Sequence, residues 1–345
     1  MEYYKIKYGV PEKDYQKIID FLVNCWSPNH IFVKSKALLD FQHFDKNKRV
    51  YNFVVAENLI TGDFDALSGN IPTSIFDHAL EEEGDVWGAI WKRRDNIDNP
   101  EGKQLGLELF EYGINLPFLK SSGGISLSKD AIKFYKILRW KMGYMHQYYI
   151  LNNKCRSFII ADNVTDVNYN DPSVKKEPGW KLRSIKLDNP DCQEINAFYR
   201  PKKSLTYMVN RFQKHPIYRY DFWGVYKDDK IKTLLVSRDC KANGSKVLRF
   251  VDALGELCGY IYPSIEQILQ EGKYEYADFL NYGVDGEVFR EMGFNELDFD
   301  NDELILPNYF EPFEKRNVKM ALAYEAKFPY VAFKGDADQD RPNLL

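Results

Sequence analysis

One order of predicted elements occurs twice in this sequence, and this repeat limits the fold more than any other feature. Two strands joined by a turn, a third strand, a helix, a strand, a second helix and a last strand are predicted over 50–151. The same order is predicted over 220–325. The repeat is too long for a solenoid and indicates an internal duplication. We therefore predict an α/β fold of the α+β type with two tandem units, each a mixed, mostly antiparallel twisted sheet flanked by helices.

The predicted division assigns 1–152 to the first unit, 153–200 to a polar connecting region and 201–345 to the second unit. A length of 345 residues agrees with two domains of about 150 residues each. In the first unit we predict a hairpin (50–74), strands (85–92, 123–126 and 144–151) and helices (105–114 and 128–140).

Charge and cysteine content argue against several kinds of protein. The net charge of −4, with acidic and basic residues mixed, disfavours a nucleic-acid binder. No apolar run approaches the roughly 18 residues of a membrane span, and the N-terminus lacks an apolar signal core. The five cysteines are scattered without a CxxC pair, which predicts neither a disulfide framework nor a metal site. We predict a cytoplasmic protein with a mobile C-terminal tail (334–345) and leave its oligomeric state open.

The stretch EGKQLG (101–106) lies between a predicted strand and a predicted helix. A helix N-terminus presents unpaired N–H groups and a partial positive charge, and glycine lets a ligand approach the backbone. The loop is therefore a candidate pyrophosphate site, with a plain turn as the alternative. It lacks the GK[ST] of a triphosphate-binding loop, and the hairpin before it does not fit the dinucleotide fingerprint. The candidate contacts are Gly102, Lys103, Gln104, Leu105 and Gly106.

The block 50–151 resembles the GNAT family of acyl-coenzyme A transferases. In that family an [RQ]xxGxG/A loop holds the coenzyme A pyrophosphate, and a helix carrying FYxxxGF follows. Here EGKQLG corresponds to the loop and AIKFYKILRWKMG to the helix, with Tyr135 at the tyrosine position. Glu101 replaces the usual Arg or Gln, Gln104 replaces the first loop glycine, and Arg139 replaces the glycine of the helix motif. The resemblance implies acetyl-CoA, or another acyl-CoA, as co-substrate, with Trp91 as a further candidate contact.

Seven short motifs resemble the tandem-GNAT proteins of bacterial O-antigen and surface-polysaccharide biosynthesis. This resemblance implies an N-acyltransferase that moves a short acyl group from coenzyme A to the amino group of a nucleotide-linked amino sugar. Sugar O-acylation, Fem-type aminoacyl transfer and a non-catalytic sugar-binding role remain alternatives. Net charge disfavours the Fem type, whose aminoacyl-tRNA donor requires a basic surface. The motifs are NFVVAEN, GNIPTSIFD, VWGAIWK, YMHQYYILN, HPIYRYDFWGV, FVDALG and LPNYFEPFE.

In the mechanism that the resemblance implies, an amine attacks the thioester, a base removes the amine proton and an acid protonates the thiolate. Tyr135 matches the acid position, with a core tyrosine as the alternative. The second unit has Phe289 at the matching place, and phenylalanine has no hydroxyl. We therefore predict one active site in the first unit, capped by the second. Asp85, at a strand end, and His215, before a proline, are candidate bases.

Four residues are predicted to bind the acceptor. Asp252 interrupts an apolar strand, where aspartate is disfavoured, so it is expected to bind a sugar hydroxyl or to cap the next turn. Tyr309 and Glu311 belong to an aromatic and acidic loop that could stack against a sugar or simply pack. Glu57 lies at a strand end near the expected site.

Overall fold

The computed structural model of the protein describes residues 3–169 and 177–343. Many of its helices begin at a capping side chain. Ser35, Ser128 and Asp285 each accept a hydrogen bond from an N–H group in the first turn of the following helix, which satisfies a donor that the helix leaves unpaired. The helices are α1 (Tyr15–Cys25), α2 (Ile31–Lys34), α3 (Lys36–His43), α4 (Leu105–Ile114), α5 (Lys129–Ile137), α6 (Leu205–Met208), α7 (Tyr262–Gly272) and α8 (Gly286–Met292).

The strands alternate with these helices in the predicted order. They are β1 (Tyr4–Pro11), β2 (Phe44–Asp45), β3 (Val50–Asn58), β4 (Phe64–Pro72), β5 (Asp85–Arg93), β6 (Ser121–Ile125), β7 (Lys141–Tyr144), β8 (His146–Leu151), β9 (Trp180–Ser184), β10 (Asp221–Lys227), β11 (Lys230–Ala242), β12 (Ser245–Gly255), β13 (Tyr276–Tyr282), β14 (Asn295–Glu296), β15 (Tyr309–Phe310), β16 (Phe313–Glu314), β17 (Ala321–Glu325) and β18 (Ala332–Phe333).

Two mixed sheets organise the chain. The first has the order β1-β3-β4-β5-β6-β17-β7, and the second has the order β14-β8-β13-β12-β11-β10-β9. Pairing is mostly antiparallel, but β5 and β6 are parallel in the first sheet, as are β12 and β13 in the second. The predicted fold class, two mixed sheets flanked by helices, is confirmed.

The two sheets exchange a strand. β17, late in the chain, lies between β6 and β7 in the first sheet, and β8 lies between β13 and β14 in the second. The strand predicted over 144–151 is confirmed as β8 (His146–Leu151), but its assignment as the closing strand of the first unit is wrong, because the chain leaves the first sheet after Tyr144 and enters the second at His146. Tyr148 and Ile150 pack in the core of the second unit, so burial rather than chain order decides where this segment pairs. The predicted domain boundaries at 152 and 200 remain a proposal. With these boundaries, each unit contributes one strand to the sheet of the other, β8 to the second sheet and β17 to the first.

A buried polar cluster holds the exchanged strand β8 in the second sheet. Arg249 on β12 donates to both carboxylate oxygens of Asp278 on β13, at 2.9 and 2.6 Å. Gln147 on β8 donates to the same carboxylate at 3.1 Å and accepts from Asn308. These side chains are almost fully buried, so each depends on its partners for compensation of the lost hydration.

Helices cover both faces of the first sheet. The α1–α3 face forms a core with Phe53, Leu67 and Ile90. On the opposite face, α4 packs through Leu109 against Val54 and neighbouring strand residues. A ligand that reached both faces would have to pass through the sheet.

The C-terminal segment, residues 331–343, packs into the molecule. Residues 331–337 are buried, and Arg211 donates to the carbonyls of Gly335 and Ala337 at 3.0 and 2.9 Å. The predicted mobile tail is therefore wrong for these residues. The sequence did not predict that its acidic side chains are buried, because their cationic partners lie far away in the chain. Arg238, for example, lies 2.7 Å from the carboxylate of Asp340.

Candidate active site

The parallel strands β5 and β6 diverge in the middle of the first sheet. They pair only over their first residues, from Asp85 opposite Ser121 to Trp87 opposite Gly123. Beyond this point the facing edge of each strand has no strand partner. The sheet therefore opens into a gap between these two strands, and their backbone groups beyond Trp87 and Gly123 are not paired with each other.

A β-bulge in β5 lies at the start of this gap. Ser68 pairs with Trp91 and Asn70 pairs with Gly88, so two residues of β5 lie opposite one residue of β4. A bulge bends its strand and leaves a backbone group unpaired. Gly88 and the two bulge residues, Ala89 and Ile90, all line the cavity that fills the gap.

This cavity has a volume of about 340 Å³ and is lined by residues from both faces of the sheet. Ile90 belongs to the core on the α1–α3 face and Leu109 to the core on the α4 face, yet both line the cavity. It therefore has one wall on each side of the sheet. A donor and an acceptor entering from opposite faces could meet at the bulge, which is the geometry that a direct transfer requires.

Tyr135 on α5 lines the cavity on the α4 face. Its hydroxyl lies 3.8 Å from the position that a Cβ at Gly124 would occupy, which places it at the β6 edge of the gap. Burial raises the pKa of Tyr135 to about 12, so the hydroxyl is protonated at neutral pH and can act as an acid. It makes no hydrogen bond to the described residues, which leaves its proton available to a ligand.

Aromatic rings support Tyr135 and build the adjoining wall. Its ring lies 4.8 Å from that of Trp140 and 5.6 Å from that of Phe110. Trp91 lies 4.8 Å from Phe134 and also lines the cavity. The structure thus brings two of the predicted residues, Tyr135 and Trp91, to the same cavity.

The loop 101–106 lies at the N-terminus of α4 and outside the lining of the cavity. Gly102 is buried there because Asn99 accepts its N–H at 2.8 Å and Ile97 packs against it. The Glu101 carboxylate accepts the N–H of Tyr3 at 3.1 Å, which turns it toward β1. Lys103 and Gln104 are exposed. Lys103 therefore places a positive side chain at the start of α4, where the N–H groups of Gln104 and Leu107 already donate to the carbonyls of Glu101 and Gln104.

The corresponding gap in the second sheet is filled by the protein itself. β12 and β13 pair only from Leu248 to Phe250, and β12 has a bulge at the matching place. The C-terminal segment occupies the space beyond, where Gly335 donates to the carbonyl of Val251 at 2.6 Å and Lys334 donates to that of Leu280 at 3.2 Å. A ligand could enter this second gap only by displacing that segment.

Phe289 occupies a different environment from Tyr135. Its ring is fully buried and stacks on Tyr148 at 4.0 Å with an interplanar angle of 4°. It therefore serves the core of the second unit.

Asp252 lies in the filled second gap. Lys203 donates to its carboxylate at 2.6 Å and lies 2.8 Å from Asp336 of the C-terminal segment. All three residues are buried, so one cation is shared by two carboxylates. Burial raises the pKa of Asp252 to about 7, with the charge of Asp336 adding to the effect and Lys203 opposing it. Asp252 thus holds the C-terminal segment in place and does not reach the open cavity.

Replacing Asp252 with asparagine is expected to flatten the pH dependence of stability between about pH 4 and pH 7. The native pKa of about 7 lies above the unfolded value near 4, so the stabilising effect of protonated Asp252 is full at low pH and is lost as the pH rises through this window. The slope amounts to at most about 1.4 kcal/mol per pH unit. Urea unfolding at pH 5 and pH 8 measures it. The exposed Asp298→Asn should keep the wild-type slope, and an unchanged slope in Asp252→Asn would contradict the assignment.

The two candidate bases lie outside the cavity lining. Asp85 is buried, accepts from Ser121 at 2.7 Å and from the N–H of Lys202 at 3.1 Å, and burial raises its pKa. It joins the connecting region to the first sheet. The Nδ1 of His215 accepts the N–H groups of Ile217 and Tyr218, and burial lowers its pKa to about 3. That imidazole shapes a local turn and stays neutral.

The remaining predicted contacts also lie away from the cavity. Glu57 forms ion pairs with Lys7 and Lys17, both at 2.7 Å. Glu311 accepts from the hydroxyl of Tyr218 at 2.7 Å and anchors the C-terminal segment through the N–H of Asn343. Tyr309 lies beside it in the β15–β16 hairpin. These three residues make contacts elsewhere in the fold and do not line the cavity.

The sequence analysis missed several residues that the cavity brings together. Asn70 pairs with Gly88 next to the bulge, and Ser122 and Gly124 lie on β6. The C-terminal segment contributes Asp338 and Arg341. The paired glycines at 123–124 were the available signal for β6, but no local pattern links the C-terminal segment to this cavity.

Comparison with known proteins defines the fold. No protein-family model matches the sequence, and no curated protein matches it. A GCN5-related N-acetyltransferase from Anabaena variabilis ATCC 29413 is similar, with a TM-score of 0.50 at 11% identity over 92% of this chain and 72% of that one. A protein of unknown function from Enterococcus faecalis V583, described as a probable N-acyltransferase, has a TM-score of 0.51 at 9% identity over 93% and 72%. At such identities the similarity shows the fold alone. The chain has a GNAT fold in two units.

Two searches of the described residues found nothing. Within 3–169 and 177–343 no helix has the length and apolar character needed to cross a membrane. The same residues contain no group of three His, Cys, Asp or Glu side chains placed to hold a metal ion.

Proposed function

We propose that this protein is an acyltransferase that uses an acyl-CoA as donor and carries out the reaction in the cavity between β5 and β6. The observation that carries the proposal is the gap itself, which combines a bulged strand, two diverging parallel strands and the protonated hydroxyl of Tyr135. A backbone N–H at the bulge would polarise the thioester carbonyl. Tyr135 would protonate the departing thiolate.

The donor would enter from the α4 face. In this pose its pyrophosphate lies at the N-terminus of α4, beside Lys103, where helix N–H groups favour negative charge. Its acyl arm follows the aromatic wall formed by Trp91 and Phe110 to the bulge. One donor site per chain is expected, because the C-terminal segment fills the second gap.

The acceptor would enter from the α1–α3 face. We propose an amine, and within that class the amino group of a nucleotide-linked sugar, as the motifs shared with polysaccharide-synthesising proteins suggest. No carboxylate or imidazole of the predicted set lines the cavity. The one carboxylate in the lining among the described residues, Asp338, is paired with Arg341 at 3.3 Å. The amine proton would therefore leave to water, and Asp85 and His215 are not part of the proposed mechanism.

Thiol release from acetyl-CoA tests this function. Purified protein is incubated with acetyl-CoA and with UDP- and dTDP-linked amino sugars, each matched to the corresponding hydroxyl sugar. We expect free thiol with at least one amino sugar and none with its hydroxyl partner. Release only with hydroxyl sugars would establish O-acylation instead. No release with any acceptor, together with no stabilisation by millimolar coenzyme A, would overturn the proposal.

Changing Lys103 to glutamate is expected to weaken coenzyme A binding about tenfold at low ionic strength, because it places like charge beside the phosphates. The loss should shrink at 0.5 M salt, where exposed charges are screened. Isothermal titration at both salt concentrations measures this effect. Lys13→Glu, another exposed lysine, serves as the matched control. Equal affinities for wild type and Lys103→Glu would place the phosphates elsewhere.

A further inference from the structure

Arg341 lies in the wall of the cavity, and the proposed reaction gives it no role. The residues lining the cavity, taken from the described part of the chain, include one cation, Arg341, and one anion, Asp338. Both belong to the C-terminal segment, which passes from the filled second gap to the open first one. The segment therefore brings charge into a cavity whose walls are otherwise apolar or neutral.

Arg341 is held in place but only partly satisfied. Its Nη2 lies 3.3 Å from the Asp338 carboxylate, and its guanidinium lies 5.0 Å from the ring centre of Phe32. Asp338 also accepts from the side chain of Gln339 at 2.9 Å. The side chain of Arg341 is only 13% exposed. Its Nη1 is buried and has no hydrogen-bond partner among the described residues. An unpaired buried donor costs free energy, so a turn of the side chain that pairs Nη1 would be favourable.

The neighbours of Arg341 identify the side of the cavity on which it acts. Phe32 on α2 packs in the same core as Ile90, on the α1–α3 face. Tyr135 and the N-terminus of α4 belong to the opposite face. His30 lies beside Phe32, and burial lowers its pKa to about 4, with Arg341 adding to the effect. His30 is therefore neutral at pH 7, and Arg341 supplies the positive charge.

We propose that Arg341 binds an oxyanion of the acceptor, so that the protein selects amines that also carry a carboxylate or a phosphate. The inference rests on the proposed function. A guanidinium presents its donors in a planar fork that matches carboxylate and phosphate oxygens. Asp338 holds this fork through Nη2, and Nη1, which has no exposed surface in this structure, would reach a ligand once the side chain turns toward the cavity. The position of Arg341 beside Phe32, on the α1–α3 face, assigns it to the acceptor rather than to coenzyme A.

Matched amines test the proposal. Protein saturated with coenzyme A is titrated with β-alanine and its neutral partner β-alaninamide, and with O-phosphoethanolamine and its partner ethanolamine, while the melting temperature is recorded. We expect at least one anionic amine to bind ten times more tightly than its neutral partner. The carboxylate and phosphate arms show which oxyanion is preferred. If neither anion is favoured, the proposal is wrong.

Variants connect that preference to the residue. Arg341→Gln should lose the preference while keeping the melting shift with coenzyme A, and Arg316→Gln, at an exposed arginine, should keep both. Arg341→Lys retains the charge without the fork and covers the case in which Arg341→Gln fails to fold; it should lose most of the preference. If the preference for anionic amines survives in these variants, the inference is wrong. It is also wrong if the variants show a smaller melting shift with coenzyme A while keeping their preference among acceptors. Absence of any response to coenzyme A in the wild type would instead count against the proposed function.

Discussion

Arg249→Met is expected to lower the free energy of unfolding by about 3–5 kcal/mol, because it leaves the Asp278 carboxylate buried without its charge partner. Asp278 is fully buried and receives two hydrogen bonds from Arg249. Gln147 on the exchanged strand β8 donates to the same carboxylate. Loss of the arginine should therefore weaken the pairing of β8 with the second sheet. Urea unfolding followed by circular dichroism measures the change.

Two comparisons separate this effect from a general loss of packing. Arg290→Met, at an exposed ion pair with Glu287, should change stability by less than about 1 kcal/mol. The double change Arg249→Met with Asp278→Leu removes both charges and should recover at least half of the loss, because no unpaired carboxylate remains. A double variant as unstable as Arg249→Met would mean that the cluster acts through shape rather than charge.

Tyr135→Phe is expected to reduce kcat by about 10²–10⁴-fold, the range typical for a lost general acid. The substitution removes only the hydroxyl, so the aromatic contacts to Phe110 and Trp140 are retained. KM for acyl-CoA and the melting shift with coenzyme A should stay near the wild-type values. Steady-state kinetics of thiol release measures the effect.

The control and the pH profile sharpen the test of Tyr135. Tyr112→Phe, on the exposed side of α4, should keep full turnover. Burial raises the pKa of Tyr135 to about 12, so its acid form persists through neutral and moderately alkaline pH. A fall in wild-type kcat caused by loss of the acid should therefore be absent below about pH 10. Unchanged kcat in Tyr135→Phe would assign protonation of the thiolate to another group.

Local pattern predicted the duplicated order of elements. Runs such as 50–58 and 246–255 combine β-branched and aromatic residues, and Ser128 marks a helix start with its own capping side chain. These signals lie within a few residues of the structure that they specify. They did not reveal β1, whose residues 4–11 mix lysines and tyrosines, since its partner β3 comes forty or more residues later in the chain.

Partners distant in sequence account for what the sequence could not predict. The exchange of β8 and β17 depends on which core buries them, and the residues of neither segment indicate which sheet it joins. Tyr135 and Trp91 were predicted through the resemblance to the GNAT family, in which the strand, loop and helix that carry the motif lie close together in the chain. Asp252 was predicted to bind substrate or to cap a turn because its partners Lys203 and Asp336 lie far from it in the sequence. Arg341 was placed in a mobile tail for the same reason.

Binding of coenzyme A to a variant with a blocked cavity tests the central claim most directly. Gly88 lies in the cavity wall, and a Cβ added there would meet no atom closer than 3.7 Å, so Gly88→Val should fold while its side chain fills the entry to the gap. Ser184→Val, on exposed β9 of the second sheet, is the matched control. We predict that coenzyme A at 100 times its dissociation constant adds about 2.7 kcal/mol of stability to the wild type and the control, and that Gly88→Val binds at least ten times more weakly. Equal stabilisation of all three proteins would show that coenzyme A binds outside the gap between β5 and β6.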